Sequence, residues 1–191
     1  MELGESPWLA YFGGCVMQRN VMPVVPQPSR MISIRKARSE DALQILACLR
    51  AAFEDYRKQY TAEGFLDTVL TPETFQERLA EMIILVAVSD SNEVVGTIAC
   101  NLVSPEEGHL RGMAVLPSLR GSGIAGQLLS HAESELRSRK CTRITLDTTE
   151  PLQRAMRFYE KHGYRRSGKI LDFFGMPLVE YYKTLPSESV A

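Results

Sequence analysis

The 191-residue chain predicts an α/β domain, a mixed central sheet with helices on both faces. Three observations carry that prediction. Short apolar or alternating runs at 32–35, 83–88, 94–103, 109–116, 144–147 and 180–185 read as strands. Between them lie longer stretches whose apolar residues recur three and four positions apart, the pattern of helices with one buried face. The connections are short and built from Gly, Pro and Asx residues. The expected order is βααβββαβαββ.

Taken in order, residues 32–35 alternate as a first strand. Ser39 stands before Glu40 and Asp41, so a helix capped by its own serine is expected there. Leu43, Ile45, Leu46, Leu49 and Phe53 form its apolar stripe, and FEDYRKQY (53–60) continues it into an aromatic, charged connection. Pro72 follows Thr71 at the first turn of a second helix, which carries Phe75, Leu79 and Met82. The runs 83–88 and 94–103 flank Asp90-Ser91-Asn92 and read as an antiparallel hairpin. A turn at 105–108 leads into the strand 109–116, and a central helix then runs to about Arg139. After the strand 144–147, Pro151 opens a helix through Ala155, Met156 and Tyr159 that stops at His162-Gly163. Residues 164–167 resume an extended chain, 172–179 with Gly175 and Pro177 read as an aromatic loop or bulge, and 180–185 is the last strand.

The predicted domain covers 31–186, preceded by a flexible leader or short N-terminal arm (1–30, with Pro23, Pro26 and Pro28) and followed by a tail (187–191). Met17, Met22 and Met31 leave a later start open. Glu2 and Glu5 precede the apolar stretch 8–17 and no Lys or Arg does, which is wrong for a secretory signal; the stretch is also too short for a membrane span. A cytoplasmic protein is expected. A net charge of -1 offers no general attraction to nucleic acid or anionic membrane. The 4 cysteines are widely spaced, and with 3 histidines and no HExxH pattern no metal site is expected. Cys48 and Cys100 fall in apolar periodic segments and read as core thiols.

The stretch 110–130, LRGMAVLPSLRGSGIAGQLLS, organises the rest. It reads as strand, basic glycine turn, helix. The first turn of a helix leaves backbone N–H groups without partners, which phosphate oxygens can fill. Gly121 and Gly123 permit backbone angles closed to other residues, and Arg120 offers a forked cation suited to phosphate. The spacing is not GxGxxG, and no Gly-Lys-Ser/Thr follows, so neither a dinucleotide fold nor a P-loop is indicated.

The order of elements, the turn Arg120-Gly121-Ser122-Gly123-Ile124-Ala125, and the segment Arg157-Phe158-Tyr159-Glu160-Lys161-His162-Gly163-Tyr164 together resemble the GCN5-related N-acetyltransferase (GNAT) superfamily, over about residues 32–185. The resemblance implies the acyl-CoA N-acyltransferase fold and acetyl-CoA as co-substrate, with no metal. It implies that Arg120, Gly123 and Ala125, with the backbone of Gly121, Ser122, Ile124 and Gly126, bind the pyrophosphate. It also implies that Met113, Ala114 and Val115 lie on a strand edge that splays from its neighbour and pairs with the pantetheine arm. Tyr159 matches the family's general acid for the departing thiolate, although a buried aromatic with a bonded hydroxyl would look the same. Two positions match the family's alternative bases, His109 and Asp147. His109 has an ordinary pKa near neutrality, while Asp147 is shorter than the usual glutamate. Leu152 stands where many relatives have asparagine, so one amide contact of the family is missing.

The expected function is therefore acetyl transfer to a primary amine by direct attack, with a small-molecule acceptor favoured over a protein. A non-catalytic acyl-CoA-sensing or protein-interaction module is the alternative. Phe53, Glu54, Tyr56, Asp172 and Phe174 are the expected acceptor-binding residues, since the connections that carry them flank the open side of such a fold. An amine-bearing acceptor is the expected partner, with no nucleic acid and no membrane, and a homodimer is left open.

Overall fold

The computed structural model describes residues 31–186; the expected leader and tail lie outside the described residues. The strands are β1 (Ser33–Lys36), β2 (Ile83–Val88), β3 (Val94–Leu102), β4 (Glu107–Val115), β5 (Arg143–Thr149), β6 (Arg165–Phe173) and β7 (Met176–Thr184). The helices are α1 (Ala42–Phe53), α2 (Ala62–Val69), α3 (Pro72–Glu81), α4 (Ile124–Ser138) and α5 (Gln153–Lys161). One mixed sheet runs β1-β2-β3-β4-β5-β7-β6. Only β4 and β5 pair in parallel; every other neighbouring pair is antiparallel.

Two apolar cores form, one on each face of the sheet. Ile45, Cys48, Leu49 and Phe53 of α1, Phe65 and Val69 of α2 and Phe75 of α3 pack under β2 and β3 on one side. On the other, Ile124, Leu128, Leu129, Ala132 and Leu136 of α4 and Met156 and Tyr159 of α5 cover Ile98, Leu110, Ile144 and Leu146. Helices thus flank both faces, as the sequence predicts, and Cys48 and Cys100 are buried free thiols. No helix among the described residues is long and apolar enough to cross a membrane.

Four details correct the sequence reading. The helical segment α2 is additional: Thr61 caps it by accepting from the Gly64 N–H at 3.2 Å. The cap expected from Ser39 is not made. Ser39 lies in a 3₁₀ turn, and the Asp41 carboxylate instead accepts from the Arg38 N–H at 2.7 Å while also pairing with Arg35. Helix α5 opens at Gln153 rather than at Pro151, with the Gln153 amide donating back to the Glu150 carbonyl at 2.8 Å. The expected loop 172–179 is the tip of a β6–β7 hairpin, turned by Phe174 (φ 52°) and Gly175 (φ 80°). Both central residues at positive φ is the geometry of a tight hairpin turn.

Two irregularities in β4 shape the site. Against β3 the register slips between Thr97 and Ala99, so Gly112 and Met113 bulge opposite Ile98, and Gly112 takes φ +62°. Against β5, pairing stops at Leu110–Leu146, leaving the edge of β4 at residues 111–115 without a strand partner on that side.

Candidate active site

A cleft of about 750 Å³ opens where β4 and β5 part. Alternation along the strands decides what faces it. Leu110, Ile144 and Leu146 point into the core beneath α4 and α5, so His109, Arg111, Thr145 and Asp147 point to the opposite face, beneath α1–α3. Tyr159 reaches the cleft from the α5 side, and its hydroxyl donates to the Met113 thioether at 3.8 Å. The splay therefore has a phenol on one face and a histidine–carboxylate pair on the other.

His109 Nδ1 lies 3.0 Å from the Thr145 hydroxyl, and its Nε2 lies 3.6 Å from Asp147 Oδ2. Burial holds the imidazole pKa below its usual value, against the pull of the Asp147 carboxylate. Burial likewise raises the Asp147 carboxyl, against the pull of His109, and Glu180 opposite it on β7 pushes the same way. Oδ1 of Asp147 is buried without a hydrogen-bond partner. Tyr159, 8% exposed, has its phenol pKa raised by burial, so the hydroxyl keeps its proton throughout the neutral range.

At the other end of the cleft, Gly121 (φ +85°) and Gly123 (φ +87°) form the turn into α4, and a side chain added at either would meet only open space. The backbone angle is what requires glycine there. The first helical bond runs from the Gln127 N–H to the Gly123 carbonyl, so the N–H groups of Ile124, Ala125 and Gly126 have no intrahelical acceptor. This is a cradle for an anion at a helix start. Ser122 turns its hydroxyl away, onto the Leu119 carbonyl at 2.7 Å. Arg120 borders the cradle and donates to the Ala52 carbonyl at 2.9 Å.

The structure thus brings Tyr159, His109, Asp147, Met113, Ala114, Val115, Arg120, Gly121, Gly123, Ile124, Ala125 and Gly126 to one cleft, with Phe53 and Tyr56 on its wall. It does not bring Glu54, Asp172 or Phe174 there. Glu54 is exposed and 4.0 Å from Arg57. Asp172 accepts from the Gly175 N–H at 3.2 Å and so serves the hairpin turn. Phe174 occupies the turn itself, 49% exposed, and Phe173, the last residue of β6, lines the cleft in its place.

Further residues complete the cleft wall. Tyr60 joins its hydroxyl to that of Thr149 at 2.6 Å and ties the α1–α2 connection to the end of β5. Arg78, Asp67 and Arg111 form a charged group beside the Gly112 bulge. Arg78 occupies a position of the α3 stripe between Phe75 and Leu79, which was the available clue to its burial. Leu152, at the position of the family's asparagine, also lines the cleft. Among the described residues no cluster of side chains is suited to a metal ion.

The mixed sheet, its flanking helices and the splayed parallel pair are those of the acyl-CoA N-acyltransferase fold. The model of the acetyltransferase (GNAT) family matches residues 46–164, and the chain belongs to that family. It is 30% identical over 158 residues to an aminoalkylphosphonate N-acetyltransferase of Salmonella typhimurium, covering 78% of this chain and 91% of that protein. It is 29% identical over 152 residues to the peptidyl-lysine N-acetyltransferase YjaB of the same organism, covering 77% and 93%. Among solved structures, the PaiA N-acetyltransferase of Thermoplasma acidophilum in complex with coenzyme A superposes with a TM-score of 0.68 at 20% identity, over 81% of this chain and 99% of that one.

Proposed function

We propose that this protein transfers acetyl from acetyl-CoA to a primary amine, a small molecule rather than a protein side chain. The observation that carries the reading is the splay of β4 from β5, with an unpartnered strand edge, a glycine turn at a helix start, a phenol and a histidine–carboxylate pair around one opening. Unpaired backbone groups on a strand edge need a partner, and an amide-bearing arm lying along residues 111–115 provides one. Acetyl-CoA supplies an activated thioester carbonyl. The cradle at Gly121–Gly126 and Arg120 bind its pyrophosphate, and the strand edge orients its arm.

The remaining steps belong to the side chains. His109, below its usual pKa and so neutral near pH 7, accepts the proton that the amine loses, directly or through water. The amine nitrogen forms its bond to the carbonyl carbon as the carbon–sulfur bond breaks. Tyr159 gives its proton to the leaving sulfur and recovers one from solvent, and His109 releases the amine's proton to solvent. Asp147, whose Oδ2 lies 3.6 Å from His109 Nε2, steadies the His109 imidazolium. Holding the reactants in this geometry supplies much of the rate.

The test is a pair of measurements on the full chain: coenzyme A binding by calorimetry, and thiol release from acetyl-CoA across an amine panel. Binding with amine-dependent thiol release supports the proposal. Tight binding with no turnover on any amine would make the protein a non-catalytic acyl-CoA module, and failure to bind coenzyme A would reject the cleft assignment altogether.

A further inference from the structure

Arg78 is 9% exposed, yet among the described residues no carboxylate comes within ion-pair distance of it. Its nearest polar partner is the backbone carbonyl of Asp67, at a long 3.5 Å. The Asp67 carboxylate is already engaged by Arg111. Two guanidinium groups therefore face one carboxylate, leaving one positive charge uncompensated at the cleft wall. A buried cation is costly unless something pairs with it. Burial and the neighbouring Arg111 lower the Arg78 pKa to about 10, which still leaves it charged at neutral pH. The guanidinium lies against the β4 bulge, where a side chain on Gly112 would come within 3.3 Å of Nη1.

The opposite charge is available in the same cleft. Asp147 Oδ1 is buried and unpartnered, and His109 stands beside it. The cleft wall thus carries the Asp147 carboxylate with His109, which can receive an amine, and the uncompensated Arg78 cation.

We infer that the acceptor is an amine carrying its own anionic group, a carboxylate or a phosphonate, and that Arg78 binds that group. This rests on the acetyl-transfer reading and narrows its acceptor class. Arg78 acts on specificity and not on the chemistry, and Asp67 tempers it by holding Arg111.

The experiment compares kcat/KM of the full-length protein for β-alanine, 2-aminoethylphosphonate and n-propylamine at saturating acetyl-CoA. The wild type is expected to prefer at least one anionic amine over n-propylamine by 10-fold or more, and the two anionic probes separate carboxylate from phosphonate. R78M should lower that preference ratio at least 10-fold, mostly through KM, with coenzyme A binding by calorimetry confirming a folded protein. D67N, at a less buried position, should raise the ratio by freeing Arg111, and it keeps the idea testable if R78M does not fold. Acetylation of n-propylamine as well as or better than both anionic amines overturns the inference while leaving acetyl transfer intact, as does a ratio unmoved by either variant. Coenzyme binding without acetylation of any amine overturns both.

Discussion

Arg120 donates to the main-chain carbonyl of Ala52 at 2.9 Å, joining the glycine turn before α4 to the last turn of α1. Carbonyls in a last turn lack helical partners and carry the negative end of the helix dipole, so a cation is favoured there. The nearby Asp55 carboxylate, 3.3 Å away, is mostly exposed and adds little. Arg120 therefore has a role in the fold in addition to the one proposed at the pyrophosphate. R120A is expected to weaken coenzyme A binding roughly 10-fold or more, as loss of a charge-assisted bond does. It should also lower Tm by a few degrees, corresponding to about 1 kcal/mol. Calorimetry and a thermal melt check both; a lower Tm with unchanged affinity would make Arg120 a tether only.

The His109–Asp147 pair predicts a pH profile with a definite sign. The Asp147 carboxylate favours the imidazolium, so D147N should move the acidic limb of kcat/KM to lower pH, and H109A should lack that limb. Stability follows the same linkage. The folded protein refuses a proton on His109 that the unfolded chain accepts below 6.5, so this contribution to stability falls as pH drops through that value. Asp147 acts oppositely, since its folded carboxyl binds a proton more readily than the unfolded one and so favours the folded state as pH falls toward 3.8. Urea melts of wild type and H109A between pH 5 and about 8 should converge at the acidic end; parallel curves would reject the shift assigned to His109.

Gly112 and Gly123 both hold positive φ, but their surroundings differ. At Gly123 an alanine meets open space, so G123A should cost only the backbone term, about 1–2 kcal/mol. Its functional effect should be weaker coenzyme A binding. At Gly112 the same backbone cost is joined by a contact with Arg78 at 3.3 Å, so G112A should cost more and raise the KM for the amine. Urea unfolding and steady-state kinetics separate the two. Equal loss of stability in both variants would show that Arg78 yields freely.

What the sequence made legible is what rests on local pattern. The strand–turn–helix at 110–130 could be read because a Pro stop, paired glycines and an amphipathic run are all local signals. Helix α2 was not read because AEGFLDTV is short and includes a glycine, a β-branched threonine and a valine, all poor for helices. Its stability comes from Phe65 and Val69 reaching the core, a tertiary fact. The β6–β7 turn was missed because Phe174 sits where Asn or Asp usually signals positive φ. Arg78 was passed over because a long cation on a helix usually extends to water; only the fold of α3 onto the β4 bulge buries it. The separation of Asp172 and Phe174 from the cleft likewise depends on the β6–β7 hairpin turn, which a reading of the segment as a loop does not provide.

Tyr159 gives the sharpest test of the proposed chemistry, because its hydroxyl has little structural work. The ring is packed between Phe158 and Tyr164, with centroid separations of 5.5 and 5.7 Å, and phenylalanine keeps that packing. The hydroxyl's one side-chain partner among the described residues is the Met113 thioether at 3.8 Å, a weak acceptor. Y159F should therefore change stability by less than about 1 kcal/mol and leave coenzyme A affinity near that of wild type. If the phenol gives its proton to the leaving sulfur, kcat should fall by roughly 10²–10⁴, the usual contribution of a positioned acid. The fall should be smaller for an acetyl donor whose leaving thiol is more acidic, such as an aryl thioester, because a stable thiolate needs no proton in the transition state. That dependence on the leaving group separates proton donation from mere wall contact. A uniform loss across donors, or wild-type turnover under conditions where chemistry limits the rate, would remove Tyr159 from the mechanism.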